Sequence, residues 1–243
     1  MTNVLRIAMW SGPRNISTAM MRAWENRADT VVVDEPLYAH YLAETGLDHP
    51  MRDEVIAHGD TDWQSVAAAL TGPVPDNASV FYQKHMAQHL LPNIGRDWLA
   101  SLTHVFLIRE PREVLLSYIK ARPTVVAEDL GFPQQLELFD QLTAEESPPP
   151  IIDAGDFLRA PGPMLEALCE RLGIAFDSAM LSWPAGPRDS DGIWAAHWYA
   201  AVEQSTGFAP YRPRTGELPN QYQPVLADCQ PAYDRLHALR LTV

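Results

Sequence analysis

Five short apolar runs constrain what this chain can fold into. They cover residues 4–10, 30–34, 79–84, 104–108 and 150–153. The runs 4–10, 30–34 and 104–108 are nearly continuous in apolar character rather than alternating, the pattern of a strand buried on both faces. Between them lie segments of helical spacing at 19–25, 37–43, 63–70, 111–120, 133–142 and, after the last run, 164–172. Strand alternating with helix predicts a central parallel sheet flanked by helices, a three-layer α/β domain. The segments 46–62, 122–132, 182–192 and 208–224 lack a period and are expected to be irregular, as are the loop 72–77 and the connector 147–150. Ile193 and Trp194 open an expected aromatic helix through Val202, and a closing helix over 225–239 is expected to be interrupted at Pro231.

The 243 residues suit one large domain over 1–243. A formal net charge of −13 argues against a general nucleic-acid or membrane-surface binder, so an anionic ligand needs a local cationic pocket. Lys84 and Lys120 are the only lysines against sixteen arginines, so Arg is the expected cation of any site. Cys169 and Cys229 have neither a disulfide framework nor metal-ligand spacing and read as reduced. With no apolar run near the ~20 residues of a membrane span and no secretory pattern at the N-terminus, the expected location is the cytoplasm.

The first strand runs into Ser11-Gly12-Pro13-Arg14-Asn15-Ile16-Ser17-Thr18. Gly12 and Pro13 turn the chain, and Ser17 or Thr18 sits near the cap of the next helix. A strand, tight loop and helix present backbone N–H groups to a phosphate or sulfate. Arg14 adds a cation; the Gly-Lys-Ser/Thr of a Walker loop is absent. In a parallel sheet, the residues at strand ends lie on the carboxyl edge where ligands bind. Glu35, Lys84, His85 and Arg109 hold such positions.

Taken in order, three of these pieces resemble the sulfotransferases that use 3′-phosphoadenosine 5′-phosphosulfate. Residues 10–18 look like the loop that cradles the 5′-phosphosulfate in that family, with Arg14 where many carbohydrate-directed members have arginine. Arg109 and, eight residues on, Ser117 match the spacing of the pair that holds the 3′-phosphate. Lys84-His85 is similar to the family's Lys-x-His, with the two residues adjacent here. The segment 188–194, with Arg188, Gly192 and Trp194, resembles the glycine-containing loop that closes on the 3′-phosphate, although here it is acidic.

The resemblance implies a P-loop-like fold and transfer of a sulfuryl group to a hydroxyl or amine of a small molecule or carbohydrate. It implies no metal; the acidic net charge is what argues against a nucleic-acid or membrane partner. Arg14 and the loop N–H groups would hold the 5′-phosphate, and His85 would be the base, with Glu35 its rival. If Lys84 faces the donor, strand alternation turns His85 away and Glu35 becomes the leading base. Two other readings stay open: a P-loop kinase or NTPase, and a nucleotide-binding protein without catalysis. Trp63, Tyr82, Trp183, Trp194, Trp198 and Tyr199 are candidates for an acceptor pocket, with core packing the alternative for each.

Overall fold

A computed structural model describes residues 4–74, 78–143 and 148–243. The ends of the expected loop 72–77 and connector 147–150 that fall at 75–77 and 147 lie outside the described residues. The strands are β1 (Leu5–Ser11), β2 (Thr30–Asp34), β3 (Val80–Met86), β4 (Thr103–Ile108) and β5 (Ile151–Asp153). They form one sheet in the order β2-β3-β1-β4-β5, every neighbouring pair parallel. The expected apolar runs are these strands, with β3 continuing through His85 to Met86. The chain leaves β1 toward one side of the sheet and later returns to its other side at β4. The carboxyl end of β1 is therefore a switch point, where an open α/β sheet leaves a crevice.

The helices are α1 (Ser17–Glu25), α2 (Tyr38–Thr45), α3 (Arg52–His58), α4 (Trp63–Thr71), α5 (Pro111–Tyr118) and α6 (Phe132–Thr143). After β5 come α7 (Ala154–Arg159), α8 (Pro161–Arg171), α9 (Ala195–Trp198), α10 (Ala200–Glu203) and α11 (Gln223–Ala238). Alternation along β1 splits the core. Ile7 and Met9 pack with Met20 and Trp24 of α1, Phe157 of α7 and Leu165 of α8. Ala8 and Trp10 point the other way, toward Val66 of α4, Leu115 of α5, Phe139 of α6 and Leu236 of α11. A third cluster joins Tyr38, Tyr41 and Leu42 of α2 to Trp194, Ala195 and Tyr199, and forms a wall above the carboxyl edge.

Several elements differ from the sequence expectation. Residues 52–58 are helical, although only Val55 of that helix is buried. The expected 193–202 helix is two single turns broken at Tyr199. The closing helix begins at Gln223 and passes through Pro231 without a break. A 3-10 turn occupies Ala127–Leu130. Among the described residues, no helix is long and apolar enough to cross a membrane.

Candidate active site

A cavity of ≈480 Å³ opens at the carboxyl edge of the sheet, and its lining runs from the loop after β1 to the α2 and 194–202 wall. Pro13, Arg14, Asn15, Ile16, Ser17 and Thr18 line it. Ile16 caps α1 without a side-chain hydrogen bond, so the first-turn N–H groups of this nine-residue helix are available to an anion. The loop is pinned from beneath. Asn15 donates to the Leu107 carbonyl at 2.9 Å and accepts from the Ile16 N–H at 2.8 Å. Gln135 of α6 donates to the carbonyls of Trp10 and Leu107 at 3.1 and 3.3 Å. Arg14 has a left-handed backbone, φ +58°, a conformation that costs a non-glycine residue and recurs at functional sites.

Ser11 and Gly12 are not on the cavity wall, contrary to the expectation that they contact the donor. Ser11 is the last residue of β1, fully buried, with its hydroxyl 3.4 Å from the His85 carbonyl. Gly12 is required by packing: a Cβ there would lie 2.3 Å from the Leu130 carbonyl oxygen.

Arg14, Arg109 and Ser117 come together although they are far apart in sequence. Arg14 Nε donates to Ser117 Oγ at 3.0 Å, and Arg109 Nη1 donates to the Arg14 carbonyl at 3.3 Å. Ser117 is buried and absent from the wall, so it acts behind Arg14. A third guanidinium, Arg214, lines the same end of the cavity, and its Nε has no partner although buried. Burial and the neighbouring Arg109 lower the pKa of Arg14; burial, Arg109 and Arg14 lower that of Arg214. Of the three, only the Arg109 guanidinium pairs with Glu113, which accepts from Arg109 Nη2 at 2.8 Å, the Tyr211 hydroxyl at 2.8 Å and the backbone N–H of Arg214 at 3.2 Å. Burial pushes the Glu113 carboxyl up, but the hydrogen bonds from Arg109 and Tyr211 outweigh it and hold the group below its usual range. Three guanidiniums against one carboxylate leave an excess of positive charge that suits an anion.

Arg188 does not join this cluster: its guanidinium lies 3.5 Å from the Pro184 carbonyl and is not on the wall. The 188–192 loop is held elsewhere, by Asp191 against the buried Arg22 of α1 at 2.6 Å and by the Gly192 N–H donating to Asp34 at 3.1 Å. Gly192 is also off the wall, and a Cβ on it would meet the Trp194 ring at 2.0 Å. Of the expected trio, only Trp194 faces the cavity.

At the ends of β2 and β3, Lys84 faces the cavity and His85 does not. Lys84 Nζ donates to Asp34 at 2.8 Å, to Glu35 at 2.6 Å and to the Tyr199 hydroxyl at 2.7 Å. Burial alone would lower the Lys84 pKa, but Asp34 and Glu35 raise it well above its ordinary value. Glu35 lines the cavity at φ +42°, a left-handed backbone. Burial pushes its carboxyl up, and the pull of Lys84 does not fully cancel that. His85 occupies the opposite face of β3, 1 % exposed, stacked on Trp10 at 4.3 Å and 3.2 Å from Gln83 Oε1. Burial and the neighbouring His104 push its pKa down to about 3. The expectation that His85 faces the donor is therefore corrected: strand alternation gives the cavity to Lys84.

A family model for the sulfotransferase domain matches residues 5–239, nearly the whole described chain. The chain belongs to the sulfotransferase family. Its fold is similar to that of the sulfotransferase domain from the curacin biosynthetic pathway, with a TM-score of 0.65 at 15% identity, covering 98% of this chain and 99% of that one. It also resembles the sulfotransferase domain of the Synechococcus PCC 7002 olefin synthase, with a TM-score of 0.59 at 17% identity, covering 100% and 98%. At these identities the likeness concerns the fold. Among curated proteins, two from Arabidopsis thaliana align: branched-chain-amino-acid aminotransferase-like protein 2, 34% identical over 95% of this chain, and protein 1, 35% identical over 96%. The chain spans 41% of the length of each.

Within this sulfotransferase-family frame, several wall residues have no counterpart in the sequence reading. Arg214 sits in an aperiodic proline-rich run, where its partner Glu113 is invisible; the paired arginines 212 and 214 were the available signal. His89 lines the cavity, stacked 4.7 Å from Tyr38 and 4.6 Å from Tyr41. Trp194, Trp198 and Tyr199 are on the wall; Trp63, Tyr82 and Trp183 pack in the core instead.

Proposed function

We propose that the chain transfers a sulfuryl group from 3′-phosphoadenosine 5′-phosphosulfate to a hydroxyl of a small-molecule acceptor. The observation that carries this reading is the convergence of Arg14, Arg109 and Arg214 at the uncapped start of α1, inside a protein of net charge −13. Two anionic groups fit there. The 13–18 loop and the α1 N–H groups would hold the 5′-phosphosulfate. Arg109 and Arg214, next to it, would hold the 3′-phosphate, with Ser117 supporting Arg14.

The donor, when bound, supplies the sulfuryl group, and the protein's work is positioning and charge stabilisation. Arg14 and the loop N–H groups offset the charge that grows on the departing phosphate. Lys84, on the cavity wall, holds Glu35 in place through its ion pair. Glu35 takes the acceptor hydroxyl proton as the oxygen bonds to sulfur and the sulfur–phosphate oxygen bond breaks. Its raised pKa makes it a stronger base than an ordinary carboxylate. The scheme does not use His85, which is stacked on Trp10.

The test compares thermal stabilisation by adenosine 3′,5′-bisphosphate and adenosine 5′-monophosphate, on the wild type and on Arg109→Ala. A ligand at 100 times its Kd adds about 2.7 kcal/mol of stability. The wild type should prefer the bisphosphate, and Arg109→Ala should lose most of that preference. Equal stabilisation of the wild type by both ligands would refute the assignment.

A further inference from the structure

The carboxyl end of β2 carries two carboxylates that share one cation. Successive strand residues point to opposite faces, but the left-handed backbone at Glu35, φ +42°, ends the alternation. Both carboxylates then reach Lys84 Nζ, Asp34 at 2.8 Å and Glu35 at 2.6 Å. Glu35 lines the cavity; Asp34 lies behind it, off the wall, with its side chain 1% exposed. Asp34 is nevertheless the better connected of the two. Its Oδ1 accepts from Lys84, and its Oδ2 accepts from the Tyr199 hydroxyl at 2.7 Å and the Gly192 N–H at 3.1 Å. The Tyr199 hydroxyl in turn accepts from Lys84 at 2.7 Å and from Trp194 Nε1 at 3.2 Å. The loop that carries Gly192 is tied to α1, where Arg22 meets both oxygens of Asp191 at 2.6 and 2.7 Å.

We propose that Asp34 is a positioning residue for sulfuryl transfer: by holding one side of Lys84, it keeps that cation from pairing wholly with Glu35, the proton acceptor. The inference rests on the sulfuryl-transfer reading and adds to it what governs the base. A carboxylate that owns a full ion pair is a weak base, because the cation stabilises its charged form. Here one ammonium serves two carboxylates, so Glu35 receives only part of it and stays able to take a proton. The other ionisable groups beside Glu35 are held in uncharged forms. His89, on the 3-10 turn Ala87–His89, stands 3.9 Å from Glu35; burial, then His49, Lys84 and His85, keeps it well below its ordinary pKa. Burial and the charge of Glu35 push the Tyr38 phenol of α2 up, and burial pushes the Tyr199 phenol up against the pull of Lys84. Beyond burial, which pushes the Glu35 carboxyl up most, Lys84 pulls it down and Asp34 pushes it up. A neutral side chain in place of Asp34 would leave Lys84 to Glu35 alone and quench the base. Loss of the Tyr199 hydroxyl would do the reverse: Asp34, deprived of that donor, would draw Lys84 toward itself and away from Glu35.

The experiment is a carbon-13 NMR titration of the side-chain carboxyls in the full chain, with the Glu35 signal identified by its absence from Glu35→Gln. In the wild type the Glu35 midpoint should lie above the ordinary carboxylate range. Asp34→Asn should lower it by about one pH unit or more, a tenfold loss of proton affinity. Tyr199→Phe, which leaves every charge in place, should raise it. Opposite shifts from the two variants are a signature that a merely structural role for Asp34 would not produce. Calorimetric binding of adenosine 3′,5′-bisphosphate should be unchanged in both, which also shows that they are folded. If Asp34→Asn does not fold, the sign of the Tyr199→Phe shift decides. A Glu35 midpoint that is unmoved or raised in Asp34→Asn, or unmoved or lowered in Tyr199→Phe, would overturn this inference while the donor reading stands. Failure of the wild type to bind the bisphosphate would overturn the donor reading, and this inference with it.

Discussion

Replacing Lys84 by Met removes the cation that Asp34 and Glu35 share. In the wild type, Nζ lies 2.8 Å from one carboxylate and 2.6 Å from the other, with the lysine and Asp34 side chains each 1% exposed. Truncating one partner of a buried ion pair costs about 3–5 kcal/mol, because the other charge stays buried without compensation. Two carboxylates are stranded here, so the upper part of that range is expected. For a chain of this size, each kcal/mol moves Tm by about 2–4 °C, which gives a drop of roughly 6–20 °C. The deficit has a definite pH dependence. Without Nζ, the Glu35 carboxyl, already pushed up by burial, rises further above its unfolded value, so the folded variant binds more protons than its unfolded chain. Its stability relative to wild type should therefore be lowest above pH 7 and recover as pH falls toward the unfolded carboxylate range near ~4. Urea unfolding of both proteins at pH 7.5 and 5.5 measures this, and adding Asp34→Asn to Lys84→Met should restore part of the loss. A deficit below about 1 kcal/mol at pH 7.5, or one that does not shrink on acidification, would refute the account of this network.

Further outcomes are expected. Gly12→Ala drives a Cβ to 2.3 Å from a backbone oxygen, and should destabilise by about 1–3 kcal/mol in chemical denaturation. Glu35→Gln should lower turnover by about 10²–10⁴-fold with bisphosphate affinity nearly intact, whereas His85→Gln should keep wild-type turnover. In the wild type, the raised Glu35 pKa predicts that turnover climbs with pH along a limb lying above the ordinary carboxylate range, and this limb should vanish in Glu35→Gln. Arg214→Ala should weaken adenosine 3′,5′-bisphosphate by about 1.5–3 kcal/mol and leave adenosine 5′-monophosphate largely unaffected, as measured by titration calorimetry.

The sheet was legible because strands buried on both faces must be apolar throughout, so their positions stand out without knowledge of their partners. The cavity-lining loop 13–18 was legible because its residues are contiguous. Choosing between Lys84 and His85 was not, since their parity depends on where β3 ends, and that strand persists two residues beyond the apolar run. The break at Tyr199 has a tertiary cause: its hydroxyl donates to Asp34 at 2.7 Å and accepts from Lys84, which local spacing does not encode. Arg188 illustrates the opposite failure. Arg188 precedes a glycine in sequence, whereas the arginine that lines the cavity lies 26 positions later, its backbone N–H donating to Glu113 of α5.

The cavity's walls come from both ends of the chain, and this sets an order of events during synthesis. The cradle at 13–18 and Glu35 leave the ribosome early, but Tyr199 and Arg214 follow only after most of the sheet and its helices exist. At ordinary elongation rates of about 5–20 residues per second, the interval between Glu35 and Arg214 is roughly 10–40 s. Nascent chains can therefore pair β1 with β3 and β4 long before the cavity's walls are complete. The cavity is complete only once residues 13 through 214 are in place.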